Sequence, residues 1–293
     1  MKIYIASLGE YVGKIKEDIY IRDMYISKGL RSDIASFWSL PELVNSEDIV
    51  LLKSIWGYHL NVGMFLNVLN ILKDKGVRLI NGYDFIVWNM YKSEYLKDVS
   101  CLVPVVPTFI LDVKKEDVAI QLENKIRDIS ISCDSDKLVI KPEISASGFL
   151  TYLYQVGAKN EDIISSIMEN YERKFIIQPY RNSVTKGEMS IISLKGEILY
   201  GIIRNPGLFS EKIPPEYIAL ENIPTQMFDI LKNLMHYFVD KFGSVPEICR
   251  VDFVENNVIY EILEIELIDP DLYIKHLGSE LKQKVLSASY NML

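Results

Sequence analysis

The sequence predicts an α/β unit followed by α+β structure. Three observations predict it. Short, branched apolar runs alternate with helical patterns over the first hundred residues, the signature of a parallel sheet with helices on its faces. Pro104 and Pro107 then interrupt the pattern, where a helix cannot easily continue. Beyond them, paired apolar runs flank short turn sequences such as Lys195-Gly196, which reads as antiparallel hairpins.

Taken in order, residues 3–6 read as a strand, 15–28 as a helix stopped at Gly29, 34–37 as a strand and 49–55 as a strand rich in branched residues. Residues 62–75 read as a helix stopped at Gly76, 77–80 as a short strand, and 83–99 as one helical pattern. The next unit has a strand at 105–110, a charged helix at 114–129 and a strand at 137–141. A small-residue loop at 145–148, a strand at 150–156, a helix at 161–171 and a strand at 175–178 complete it. Residues 189–194 and 197–203 form the first hairpin, Pro214-Pro215 a loop, 224–242 a helix, and 248–254 with 258–268 the second hairpin. The expected units are residues 1–103, 104–180 and 181–293.

Composition narrows the function. The 293 residues carry 32 Lys plus Arg against 40 Asp plus Glu, a net charge of -8, which argues against a nucleic-acid partner. Cys101, Cys133 and Cys249 form no C-x-x-C, so neither a disulfide framework nor a zinc knuckle is indicated. Reduced thiols fit a cytoplasmic protein. Residues 54–72 lack Asp, Glu, Lys and Arg, but Met64, Phe65, Val68, Leu69 and Leu72 recur at helical spacing among His59 and several asparagines. That pattern predicts a buried amphipathic helix rather than a membrane span.

The second hairpin carries the clearest chemistry. Alternation puts Val251, Phe253, Leu263, Ile265 and Leu267 on one face and Arg250, Asp252, Glu264 and Glu266 on the other. The runs share faces in this way only if the turn around Asn257 has an odd number of residues, such as 256–258; a two-residue turn would separate the carboxylates. Glu261 then falls on the apolar face, unexplained. Three converging carboxylates suit a hard divalent cation such as Mg²⁺, the alternative being a solvated sheet face. The loop Ser145-Ala146-Ser147-Gly148 follows an apolar run ending in Lys141-Pro142, so a strand delivers a cation just ahead of a turn whose backbone N–H groups can approach phosphates. Neither G-x-x-x-x-G-K-[ST] nor G-x-G-x-x-G is present, and His59, His236 and His276 lack metal spacing.

Together the motifs resemble the ATP-grasp superfamily of carboxylate-amine ligases. The resemblance runs through Trp88-Asn89-x-x-Lys92-x-x-Tyr95-Leu96, Pro107-Thr108, Val139-Ile140-Lys141-Pro142 with Ser145-x-Ser147-Gly148, and Gln178-Pro179-Tyr180. It continues through Gly187-Glu188-x-Ser190, Arg250-Val251-Asp252 and Leu263-Glu264-x-Glu266-x-x-x-Pro270. Within the superfamily the chain looks most like the bacterial glutathione-synthetase-like branch that includes the cyclo-ligase of D-cycloserine biosynthesis. That resemblance implies an N-terminal Rossmann-like domain followed by a two-subdomain ATP-grasp fold. It implies Lys92 and Lys141 on the phosphates of ATP, Ser145, Ser147 and Gly148 closing over them, the backbone of Gln178, Pro179 and Tyr180 at the adenine, and Glu188 on the ribose. Asp252, Glu264 and Glu266 would bind Mg²⁺, and Arg250 and Arg204 would face the transferred phosphoryl group.

The same resemblance implies an ADP-forming ligase acting through an acylphosphate on a small amino-acid-like or peptide substrate, in specialised biosynthesis, and allows a homodimer. The branch often shows Trp-Asp-Tyr after an Arg near its substrate, whereas this chain has Lys53 and Trp56-Gly57-Tyr58. Asp18, Arg22, Lys53 and Tyr58 are the expected substrate contacts. A regulatory nucleotide-binding module without catalysis, or a small-molecule kinase, are the rival readings.

Overall fold

The computed structural model describes residues 1–111, 118–204 and 214–290. Four parallel strands open the chain, β1 (Ile3–Ser7), β2 (Ser32–Ser36), β3 (Ile49–Leu52) and β4 (Arg78–Leu79), in the order β2-β1-β3-β4. Helices α1 (Lys16–Ser27), the short α2 (Leu40–Leu43) and α3 (Val62–Asp74) connect them, the crossovers that parallel pairing requires. Helix α3 starts at Asn61, whose side chain accepts the Met64 N–H at 3.2 Å, and it buries Phe65, Val68, Leu69 and Leu72. Among the described residues no helix is long and apolar enough to cross a membrane.

The single helix expected over 83–99 is two, α4 (Gly82–Met90) and α5 (Lys92–Val99), broken at Tyr91 with φ -100° and ψ 94°. Neither Pro nor Gly marks the break. The Lys92 N–H instead turns to Glu143 O at 3.4 Å, so a tertiary hydrogen bond replaces a helical one.

The middle unit is an antiparallel sheet of β5 (Phe109–Leu111), β6 (Lys137–Pro142), β7 (Tyr152–Gln155) and β8 (Phe175–Pro179), ordered β5-β8-β6-β7 and backed by α6 (Val118–Cys133) and α7 (Glu161–Glu169). The start of the expected helix at 114–117 lies outside the described residues. The expected strand at 105–110 is divided around Pro107: Val105 bridges to Ile262 far along the chain, and only Phe109–Leu111 joins the sheet. Leu122, Ile126, Leu138, Ile140, Phe175 and Ile177 form this unit's own core.

The last sheet is antiparallel, ordered β11-β10-β9-β12-β13, from β9 (Glu188–Leu194), β10 (Glu197–Arg204), β11 (Glu216–Ile218), β12 (Ile248–Asn256) and β13 (Ile259–Glu266). Helix α8 (Thr225–Phe242) packs Leu231, Leu234 and Phe238 on one face of it. The turn between β9 and β10 has positive φ at both Lys195 (49°) and Gly196 (79°), as a two-residue hairpin requires. The sequence did not announce α2, β11 or the final helix α9 (Ser279–Tyr290). That helix returns to the first unit, where Tyr25 donates its hydroxyl to Ser289 O at 3.2 Å. Ile3, Ile5 and Tyr25 share one core with Ile192, Tyr200, Ile248, Leu272 and Val285, so the first and last stretches of chain fold around common apolar contacts.

Candidate active site

The hairpin of β12 and β13 corrects the register expected from the sequence. Its turn has two residues, Asn257 and Val258, because Asn256 pairs with Ile259. The carboxylates nonetheless share a face. A bulge opposite Asp252 and Phe253 leaves Leu263 unpaired, so Asp252 faces Glu264 and Arg250 faces Glu266. The extra residue makes the parity that the turn lacks. It also explains Glu261, which is carried to the polar side and meets Arg181 in a two-pronged ion pair at 2.6 and 3.0 Å. Leu263 leaves the apolar face in exchange, and Ile262 takes its place beside Ile265 and Leu267.

Side chains from four adjacent strands then line one face of the sheet. Asp252, fully buried, accepts Ser190 Oγ at 2.7 Å, Arg250 at 3.0 Å through both Nε and a terminal nitrogen, and Arg204. Arg204 also pairs with Glu188 at 3.0 Å and donates to Ser190 Oγ at 3.0 Å, and Arg250 reaches Glu266. Burial opposes the charge on Asp252, but Arg204 and Arg250 outweigh it and hold the pKa down at about 2. Burial pushes Glu266 up to about 7 against the pull of Arg250. Burial also raises Glu188.

Two lysines from other elements close the face. Lys92, at the start of α5, is 4% exposed and donates to Ser145 O at 2.7 Å while pairing with Glu264 Oε1 at 3.1 Å. Burial alone would raise Glu264, yet Lys92 and Lys141 bring it below its ordinary value. Lys141 on β6 is buried without an ion-pair or hydrogen-bond partner among the described residues, and burial lowers its pKa. A buried, unpartnered ammonium is costly, so this one is set to receive an anion. Carboxylate oxygens of Asp252, Glu264 and Glu266 lie within 4.8 Å of one another, close enough to share one cation. Of the three, Glu264 and Glu266 are partly open and the least committed to protein partners.

The Ser145 loop stands beside Lys92. Ser147 (φ 53°) and Gly148 (φ 71°) both lie in the left-handed region, with the Phe149 N–H closing the turn on Ala146 O at 3.1 Å. Phe149 lies between the His59 ring, at 4.8 Å, and the Arg173 guanidinium, at 5.3 Å, and Arg173 donates to His59 O at 3.1 Å. Gln178 and Pro179 end β8 beside β6. Tyr180 donates its backbone N–H to Lys137 O at 2.8 Å, which ties this segment to the sheet.

Of the expected substrate contacts, the structure gathers two. Asp18 and Lys53 line a cleft of about 340 Å³ with Glu17, Ser54, Asp269 and Asp271. Arg22 turns away to Asp23 at 2.7 Å. Tyr58 is buried and does not line the cleft; burial, then the charges of Asp269, Glu264 and Glu266, raise its pKa. A Cβ on Gly57 would come within 2.9 Å of Leu8 Cδ1, the far end of a side chain that can shift. Glu17, Asp269 and Asp271 are not among the residues expected from the sequence; the run Asp269-Pro270-Asp271, directly after the carboxylate strand, is the signal for two of them.

No protein-family model matches the chain, and no curated protein matches it in sequence. Solved structures do. D-cycloserine synthetase DcsG superposes with a TM-score of 0.76 at 18% identity, covering 99% of this chain and 100% of that one. D-alanine–D-alanine ligase from Bacillus anthracis, complexed with ATP, gives 0.65 at 16% identity over 100% and 95% of the two chains. The ATP-grasp ligase PsnB, complexed with a minimal precursor, Mg and ADP, gives 0.62 at 11% over 99% and 97%. These likenesses establish the fold as that of the ATP-grasp ligases along the whole chain.

Proposed function

We propose that this chain, an ATP-grasp fold from end to end, is an ADP-forming carboxylate-amine ligase. The reading is carried by one observation: Asp252, Glu264 and Glu266 converge on a sheet face closed by Lys92, Lys141, Arg204 and Arg250. Every charge that transfer of a phosphoryl group needs is present in that array, and the chemistry consists largely of positioning and charge neutralisation. The oxygen-only donor set fits Mg²⁺, which would be held by Glu264, Glu266 and Asp252 and would neutralise charge between the phosphates of ATP.

In this reading Lys141, unpaired among the described residues, and Lys92 hold the nucleotide's phosphates, and the turn at Ser145, Ser147 and Gly148 covers them. Glu188 takes the ribose and the segment at Gln178, Pro179 and Tyr180 the adenine. A substrate carboxylate oxygen attacks the γ-phosphorus and the bond to the β-phosphate oxygen breaks, leaving an acylphosphate and ADP. Arg250 and Arg204 stabilise the charge that moves. An amine then adds to the acyl carbon and expels phosphate, which forms the amide. Phe149, gripped by His59 and Arg173, holds the loop down while the acylphosphate is exposed to hydrolysis.

The molecules bound in the similar structures, ATP, Mg with ADP, and a precursor peptide, support a small amino-acid-like or peptide substrate. The test is incubation with Mg·ATP and panels of amino acids, quantifying ADP, AMP and condensed product. ADP with an amide is the expected outcome. ADP with a phosphorylated small molecule and no amide would make the protein a kinase, AMP with pyrophosphate would exclude the acylphosphate route, and nucleotide binding without turnover would leave a regulatory module.

A further inference from the structure

The cleft below α1 holds a carboxylate that the phosphate chemistry does not use. Asp18 is fully buried; its Oδ1 accepts Ser54 Oγ at 3.0 Å, and its Oδ2 has no hydrogen-bond partner among the described residues. The neighbouring acids are already engaged. Glu17 takes Lys53 at 2.6 Å and the backbone N–H groups of Leu272 and Ile274 at 3.0 and 3.1 Å. Asp269 takes the Ile55 N–H at 3.1 Å, and Asp271 takes that of Tyr273 at 2.8 Å. Lys53 is spent on Glu17 and on Pro270 O. Of these four acids, only Asp18 keeps a buried oxygen without a partner among the described residues.

We infer that this cleft binds the ammonium group of an amino-acid substrate, with Asp18 Oδ2 as its acceptor and Asp271 supplying further negative charge. An ammonium offers three N–H donors and a positive charge, which meets both deficits of the site together. A neutral hydroxyl would meet only the first. Lys14, Lys16 and Lys275, exposed at the rim, complement the ligand's anionic end. Asp269 follows Glu266 by three residues, so the cleft adjoins the carboxylate cluster along the chain. Burial pushes the Asp18 carboxyl up to about 6, with Lys53 pulling the other way, which is the state of an acid awaiting a counter-ion. The role of the ligand as substrate rests on the ligase reading; its binding does not.

The test is thermal-shift titration of the full chain in Mg·ADP with matched pairs: L- and D-alanine against L- and D-lactate, L- and D-serine against L- and D-glycerate, and β-alanine against 3-hydroxypropionate. The remaining protein amino acids of both hands complete the panel. At least one amine is expected to bind ten times or more tighter than its hydroxyl twin, and Asp18→Asn to lose at least tenfold in that affinity while its response to Mg·ADP stays as in the wild type. Equal binding of the twins, full affinity in Asp18→Asn, or no binding by any amine would each overturn the inference. Should Asp18→Asn fold poorly, the comparison of twins on the wild-type chain decides alone. Selective amine binding without ADP formation would sink the ligase reading and keep this one. Amide formation with hydroxy acids accepted as well as amino acids would do the reverse.

Discussion

Two acids in this protein are perturbed in opposite directions, and each perturbation predicts a different experiment. Asp18 has its folded pKa near 6, above the usual 3.8. Its stability contribution is complete below pH 3.8, where the acid is neutral in both states, and is lost as pH rises through 6. Asp18→Asn should therefore stabilise the protein by up to about 3 kcal/mol above pH 6 and by nothing below pH 4, read by urea denaturation across that range. Gain of stability with loss of ligand affinity marks a group retained for binding. Glu264 is the converse case, held ionised by Lys92. In Glu264→Gln the amide oxygen still accepts the Lys92 ammonium, so the unfolding midpoint should move little while ADP formation falls at least about 100-fold, given the usual worth of a well-placed charge in the transition state. Equal loss of folding and turnover would return Glu264 to a structural role.

At the scale of elements, alternation along β12 and β13 made the polar and apolar faces legible, and it named Arg250, Asp252, Glu264 and Glu266 from their spacing alone. The parity of the turn was not legible. Leu263 is an ordinary strand residue, and a bulge there leaves no Gly or Pro to read. The break at Tyr91 was hidden for the same reason, since its cause is Glu143, far along the chain. Long-range hydrogen bonds also hold β13 at the sheet edge. Asn89 donates to Ile265 O and accepts the Leu267 N–H, both at 2.8 Å, while Asn81 donates to Leu267 O at 2.7 Å. Pro104 O and the Val106 N–H pair with Ile262. The side chains thus complete an edge that would otherwise invite another strand. Asn89→Ala would leave two buried backbone groups unpaired, a loss of about 2–4 kcal/mol in denaturant titration, and should weaken Mg²⁺-dependent nucleotide binding because Glu264 and Glu266 flank the freed positions.

At the scale of the molecule, most of the strands were legible in the sequence but not the way the chain closes. Helix α9 has a weakly patterned sequence, and only its contact with α1 reveals its place. The merged core around Leu272 predicts shared unfolding: Leu272→Ala should cost about 2–5 kcal/mol and reduce hydrogen-exchange protection in β1 as well as in β9 and β10. Protection lost in the last sheet alone would separate the two. The asparagine bridges carry this unity into the site. They join β13, whose glutamates belong to the carboxylate cluster proposed to serve the nucleotide, to the stretch of chain that holds Asp18, and free energies of binding at two joined sites are reciprocal. Whatever affinity a bound nucleotide lends to the amine cleft, the amine must return in equal measure to the nucleotide, so the order in which the two arrive is a kinetic matter while their mutual help is a single thermodynamic quantity.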